Sequence, residues 1–143
     1  MNILVCGGRH FADVPFLWKW LDDFASKQVE PGVRLVIEGA SDDVTGPYVG
    51  ADYWAHQWAL ARTIPYVRIH AQWKLFGKAA GPLRNNRMLR ECEPDCVIAF
   101  EGGNGTDDMV RKAKEAGLPV HEVKTPHRSR KKKTYESDGR RGL

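Results

Sequence analysis

The residues best suited to chemistry are glycines and the charged side chains beside them. Gly102, Gly103 and Gly105 follow the apolar run from Cys96 to Phe100 and precede Thr106. Between a buried strand and a helix start, missing side chains let backbone N–H groups approach an anion, and the helix dipole favours negative charge there. Phosphate is the natural ligand of such a turn. A lone glycine turn is more often only a tight strand-to-helix connection. Here Gly7 and Gly8 repeat the arrangement after the run from Asn2 to Cys6, and two such turns favour the anion-binding reading. Neither turn spells GxGxxG, and the chain has no Walker GK[ST], which argues against an ordinary dehydrogenase or ATPase.

Arg9 and Arg84 offer charged forks for a phosphate or carboxylate, although an isolated arginine more commonly makes a surface salt bridge. Asp107 and Asp108 fall in the first turn of the following helix, where the dipole alone stabilises a carboxylate. They repel a phosphate placed beside them, so a phosphate is expected nearer the backbone amides, with Asp108 turned toward ribose hydroxyls. Asp52 opens another helix near the same rim and either binds a hydroxyl or caps. Trp73 and Phe76 either stack on a base or pack beneath their loop. The five histidines show no HExxH or Cys/His spacing, and Cys92 with Cys96 is not a zinc pair, so no metal and no resident cofactor is expected. Cys6 fills a buried strand end. No Ser, His and Asp arrangement is legible.

The elements that position these residues alternate strictly. Strands are expected at Asn2 to Cys6, Arg34 to Glu38, Tyr66 to Ile69, Cys96 to Phe100 and Val120 to Val123, each a short apolar or β-branched run. Between them lie a helix after Asp13 and Pro15 carrying Phe16, Leu17, Trp20, Leu21 and Phe24, and a second with Ala51, Trp54, Ala55, Trp58 and Ala59 on one stripe. Asp52, His56 and Gln57 fall off that stripe. A long loop through Trp73 and Gly77 leads to a helix from about Leu83 to Glu91 with Pro82 in its first turn. The last helix runs from Thr106 to Ala116, with Gly117 ending it. Alternation of this kind implies βαβ units, a parallel sheet and helices on both faces. The loops leaving the strand C-termini then share one rim: Gly7 to His10, Gly39 to Ala51, His70 to Pro82 and Gly102 to Thr106.

At 143 residues, 42% hydrophobic and 28% charged with five Trp and five Phe, the chain has material for one domain with a real core. That excludes a two-domain enzyme or a disordered chain. No membrane span or signal peptide is legible, and three cysteines fit reduced thiols in a cytoplasmic compartment. The net charge of +4 is unevenly placed. Residues 124–143 hold eight Lys/Arg against Glu136 and Asp138, leaving 14 basic and 16 acidic side chains in residues 1–123. The basicity belongs to a tail, read as disordered, in which RSRKKK (128–133) either gives salt-sensitive, sequence-independent nucleic-acid contacts or is simply solvated.

Three blocks carry a family resemblance: LVCGGRHF (4–11), GKAAGPLRNNRM (77–88) and VIAFEGGNGTDDMV (97–110). With them the chain resembles the SLOG superfamily, specifically the YspA-related, cpYpsA-type domain of bacterial and phage proteins, over residues 1–123. The resemblance implies a Rossmann-like three-layer sandwich with a mostly parallel sheet of about five strands. It also implies a site for a nucleotide or nucleotide-derived ligand, of ADP-ribose or cyclic-nucleotide type, and a homodimer. Its pattern places Gly7, Gly8, Arg9, Asp52, Arg84, Asn85, Gly102, Gly103, Gly105, Thr106 and Asp108 in the pocket. Relatives include the LOG phosphoribohydrolases and the DNA-processing DprA proteins, so the enzymatic alternative is an N-glycosidase on a nucleoside monophosphate or NAD-like substrate. In it, Asp108 or Asp52 stabilises an oxocarbenium-like transition state and Arg84 holds phosphate. LOG enzymes resemble PGGxGTxxE, whose final glutamate serves catalysis. Here Met109 stands at that position and Glu101 where proline usually stands, which weighs against glycosidase chemistry. The family's GGARGAD block is also interrupted here by a longer insertion containing SDDVTGPYV, whose Gly46, Pro47 and Gly50 fit a mobile flap or a passive surface loop.

Overall fold

The computed structural model describes residues 1–41 and 50–126. The expected flap around Gly46 and Pro47 and the basic run at 128–133 lie outside the described residues. Five strands, β1 (Asn2–Cys6), β2 (Leu35–Glu38), β3 (Tyr66–Arg68), β4 (Cys96–Phe100) and β5 (Val120–Val123), form one all-parallel sheet in the order β3-β2-β1-β4-β5. Leu4 stands opposite both Ile37 of β2 and Val97 of β4, so β1 is the centre of the sheet.

Successive strand residues face opposite sides, and both sides are apolar because both are covered. Ile3, Val5, Val36 and Ile98 pack under α1 (Val14–Ser26) and α2 (Ala51–Ala61), which supply Leu17, Leu21, Ala55 and Trp58. Leu4, Ile37, Val97 and Ala99 pack under α4 (Ala80–Cys92) and α5 (Asn104–Glu115), which supply Met88, Met109 and Ala113. The result is the expected three-layer, Rossmann-like α/β sandwich. From β1 the chain steps outward to β2 and β3 over one face, then returns over the other to place β4 on β1's free side. The connections therefore diverge between the C-termini of β1 and β4, the point at which such sheets open a crevice for ligands.

Local signals place most boundaries. Asp13 caps α1, its Oδ1 accepting from the Phe16 amide at 3.3 Å, with Pro15 in the first turn. Gly117, at φ +78°, ends α5 in the left-handed conformation glycine tolerates best. Several expectations shift: the second strand starts at Leu35 rather than Arg34. The third strand ends at Arg68 rather than Ile69. The long loop after it contains a single helical turn, α3 (Trp73–Phe76), and a 3₁₀ turn (Gly77–Ala79) that runs directly into α4, so α4 starts at Ala80 with Pro82 still in its first turn. Finally, α5 starts at Asn104, which makes Gly103 its N-cap and puts Gly105 inside its first turn.

Candidate functional site

A cleft of about 870 Å³ opens at the C-terminal edge of the sheet over β1 and β4. All four expected rim segments reach it: Gly7 to His10, then Gly39 and Ser41 with Asp52, then Trp73, Lys78, Gly81 and Pro82, and last Gly102 to Thr106. Gly8, Arg84 and Gly103 thus line one cavity rather than three separate surfaces.

The glycines of this rim divide into two kinds. Some are required by packing. Gly8 donates its amide to the Glu101 carbonyl at 2.9 Å, and its own carbonyl accepts from Phe11 at 3.1 Å and Ala51 at 3.0 Å, tying β1, β4 and α2 together. A Cβ on Gly102 would stand 2.2 Å from Thr106 Oγ1 and 2.6 Å from the Gly8 nitrogen, and one on Gly7 would stand 2.6 Å from the Ala51 Cβ. Gly103 and Gly105 differ. A Cβ at either would meet nothing within 4 Å, and neither has a positive φ. Both are exposed to the cleft at the start of α5.

No side chain caps α5, and its first-turn amides have no intrahelical acceptor. The N-termini of α2 and α4 also lack a side-chain cap, whereas α1 has Asp13. At α2 and α4 the first amide is already taken, Ala51 N–H by the Gly8 carbonyl at 3.0 Å and Ala80 N–H by the Gly77 carbonyl, so the helix end left open on this rim is that of α5.

Beneath the rim lies a buried polar group of side chains. Asp52, in the first turn of α2, accepts from the Ser41 amide at 3.0 Å through Oδ2, while the buried Oδ1 has no hydrogen-bond partner among the described residues. Burial pushes its carboxyl up, against the opposing charge of Arg84. Arg84 is itself buried, donating from Nε to Asn85 Oδ1 at 3.0 Å and from Nη1 to the Gly39 carbonyl. A Cβ on Gly39 would lie 2.7 Å from Arg84 Nη1, so that glycine makes room for the guanidinium.

The family model described as YAcAr, the YspA, cpYpsA-related SLOG family, matches residues 1–76. The chain belongs to this SLOG family. It is also 33% identical over 127 residues to the Gene 61 protein of Mycobacterium phage D29, a match covering 83% of this chain and 93% of that protein. No solved structure matches it significantly.

Within this SLOG domain, Asp108, expected to turn toward ribose hydroxyls, lines the cleft with both carboxylate oxygens already paired. Its Oδ1 pairs with Arg111 at 2.8 Å, and its Oδ2 with Lys112 at 2.8 Å and Asn85 Nδ2 at 3.0 Å. Burial raises its carboxyl, but the Lys112 and Asn85 hydrogen bonds outweigh that and hold it below the usual range. Asn85 Nδ2 also donates to the Gly105 carbonyl at 3.1 Å. These contacts brace α4 against α5 and fix the turn that carries Gly105. Thr106 is buried behind Gly102, while Arg9 and Lys78 are exposed cations on the cleft wall. Trp73 lines the cleft and is 50% exposed, whereas Phe76, 45% exposed, does not line it. Burial raises the Cys6 thiol far above its ordinary range, so it stays protonated.

Sequence reasoning missed Glu38, His56 and Arg68. Glu38 ends β2 fully buried, accepting from the Ala40 amide at 2.6 Å and from Arg68 Nε, with His56 Nδ1 3.8 Å away. Burial, aided by the charge of Asp52, pushes Glu38 up to about 7 despite Arg68. Asp52 and His56 fall off the apolar stripe of α2, as expected, yet both are buried. The available signal was a glutamate closing an otherwise apolar strand of a sheet covered on both faces. Among the described residues, no helix is long and apolar enough to cross a membrane.

Proposed function

We propose that the cleft binds a nucleotide or nucleotide-derived ligand, of ADP-ribose or cyclic-nucleotide type, with a phosphate seated on the first turn of α5. One observation carries this reading. Gly103 and Gly105 leave open space at a helix N-terminus without a side-chain cap, and at Gly105, inside the first turn, neither packing nor a positive φ requires glycine. Space at that place is what a phosphate oxygen needs to reach the amides. The position at the switch point of a parallel sheet supports it, as do the exposed cations Arg9 and Lys78 on the same wall. A volume of about 870 Å³ is ample for a nucleotide. Calorimetric titration of the full chain with AMP, ADP-ribose, NAD and cyclic AMP tests the proposal. Saturable binding of at least one, competed by inorganic phosphate, is expected; absence of binding by all four refutes it.

A second reading has its own support, the buried Asp52 oxygen with no partner among the described residues. As an N-glycosidase, the domain would place the Asp52 carboxylate against the cationic sugar that develops as the glycosidic bond breaks. Water would then add to the anomeric carbon and the base would leave carrying a proton. Asp108, already held by three donors, is the weaker candidate for that role. Chromatography for adenine or nicotinamide after incubation with AMP or NAD decides, and any release must disappear in Asp52→Asn.

A further inference from the structure

Of the five tryptophans, Trp73 alone is exposed. Trp18 and Trp58 satisfy their indole N–H groups on the Trp54 carbonyl at 3.0 Å and Asp22 at 2.8 Å. The Trp73 indole makes no hydrogen bond among the described residues. Its benzo edge rests on the first turn of α4, where a Cβ on Gly81 would come 3.2 Å from Cη2. The ring is therefore fixed at one edge by a helix that leaves room for it, and half of it remains open. The neighbouring exposed apolar residues Leu75, Phe76 and Leu83 do not line the cleft, so a general apolar patch does not explain why Trp73 does. A large aromatic held half-exposed on the wall of a cleft forgoes the burial that its size favours.

We infer that Trp73 is the base platform of the cleft, stacking on the aromatic base of a nucleotide whose phosphate sits at Gly103 and Gly105. The inference rests on the phosphate reading above and extends it from the anion to the rest of the ligand. Recognition by a π-face accepts any base, with larger purines gaining more contact than pyrimidines. The cleft is then selective for nucleoside phosphates over sugar phosphates.

The test compares AMP with ribose 5-phosphate, which keeps the sugar and phosphate and lacks the base. Wild-type full chain is expected to bind AMP more tightly and to lose red-edge tryptophan emission as it does so. Trp73→Ala should weaken AMP by about 5- to 150-fold, the range measured when a stacking aromatic is removed. Ribose 5-phosphate affinity should stay within about twofold on the same reasoning, since it has no base to stack. Trp73→Phe should restore most of the AMP affinity without the emission change, which also shows that the effect does not come from misfolding. Equal weakening of both compounds, or unchanged AMP binding in Trp73→Ala, overturns the platform and leaves the phosphate site standing. Failure of the wild-type chain to bind either compound overturns the platform, and where ADP-ribose, NAD and cyclic AMP are silent too the phosphate site falls with it.

Discussion

Replacing Gly105 with alanine should move stability and binding in opposite directions. Gly105 lies in the first turn of α5, and a Cβ there would meet nothing within 4 Å. Glycine costs a helix roughly 0.5–1 kcal/mol relative to alanine, mainly through backbone entropy. Relief of that cost should raise the melting temperature of the free chain by roughly 1–4 °C for a domain of this size. The same methyl group would occupy the space through which a phosphate oxygen reaches the α5 amides. Loss of one charge-assisted hydrogen bond is worth about 1.5–3 kcal/mol, or about 10- to 150-fold in Kd. Gly102→Ala is the internal contrast. Its Cβ would fall 2.2 Å from Thr106 Oγ1, so overpacking should destabilise the chain by about 1–3 kcal/mol. Thermal melts without ligand, followed by calorimetry with the tightest nucleotide, measure both quantities. If Gly105→Ala gains stability and binds unchanged, the open glycine is not a ligand seat and the reasoning fails. If it loses stability, the space around it is not open.

Two further perturbations probe the groups beneath and behind the cleft. Burial raises Glu38 from its ordinary 4.5 to about 7, so between those values the folded chain retains a proton that the unfolded chain has released. Stability should accordingly fall as pH rises from 4.5 to 7, by up to about 3 kcal/mol, and level off above. Urea unfolding across that range measures the slope, which Glu38→Gln should flatten; a wild-type chain that gains stability over the window would contradict it. Asn85→Ala removes the amide joining Arg84, Gly105 and Asp108 and should cost about 1–3 kcal/mol through the polar groups left unpaired, read as a lower urea midpoint at unchanged slope.

The layered fold was legible because β1, β2 and β4 are short, largely apolar runs ending near glycine, and α1 and α5 show clear apolar stripes. The expected loop at Trp73 shows where this reasoning weakens. A single turn such as α3 is too short to display a period, and the 3₁₀ turn that joins it to α4 hides the helix start. Periodicity also says which side of a helix is apolar without saying what covers the other side. Asp52 and His56 fall off the stripe of α2, yet they are buried, because the end of β2 presents Glu38 to them and α4 brings Arg84 across from the opposite layer. A buried polar group formed by three elements distant in sequence leaves no pattern within any one of them.

The glycines carry the same lesson into function. In the sequence, the glycines at 7, 8, 102, 103 and 105 form one class, all of them candidate phosphate contacts. In space they separate: Gly7 and Gly102 avoid clashes, Gly8 joins three elements by hydrogen bonds, Gly103 stands at the N-cap, a place glycine suits, and Gly105 alone is explained by neither a contact nor a positive φ. A residue that costs helix stability and relieves no contact points to something outside the chain. The first group builds the rim, and the second leaves it open at the helix end where an anion is best stabilised. Gly105, with the N-cap Gly103 beside it, therefore stands apart from the other three, and substitutions at these two distinguish a binding site from a tight turn.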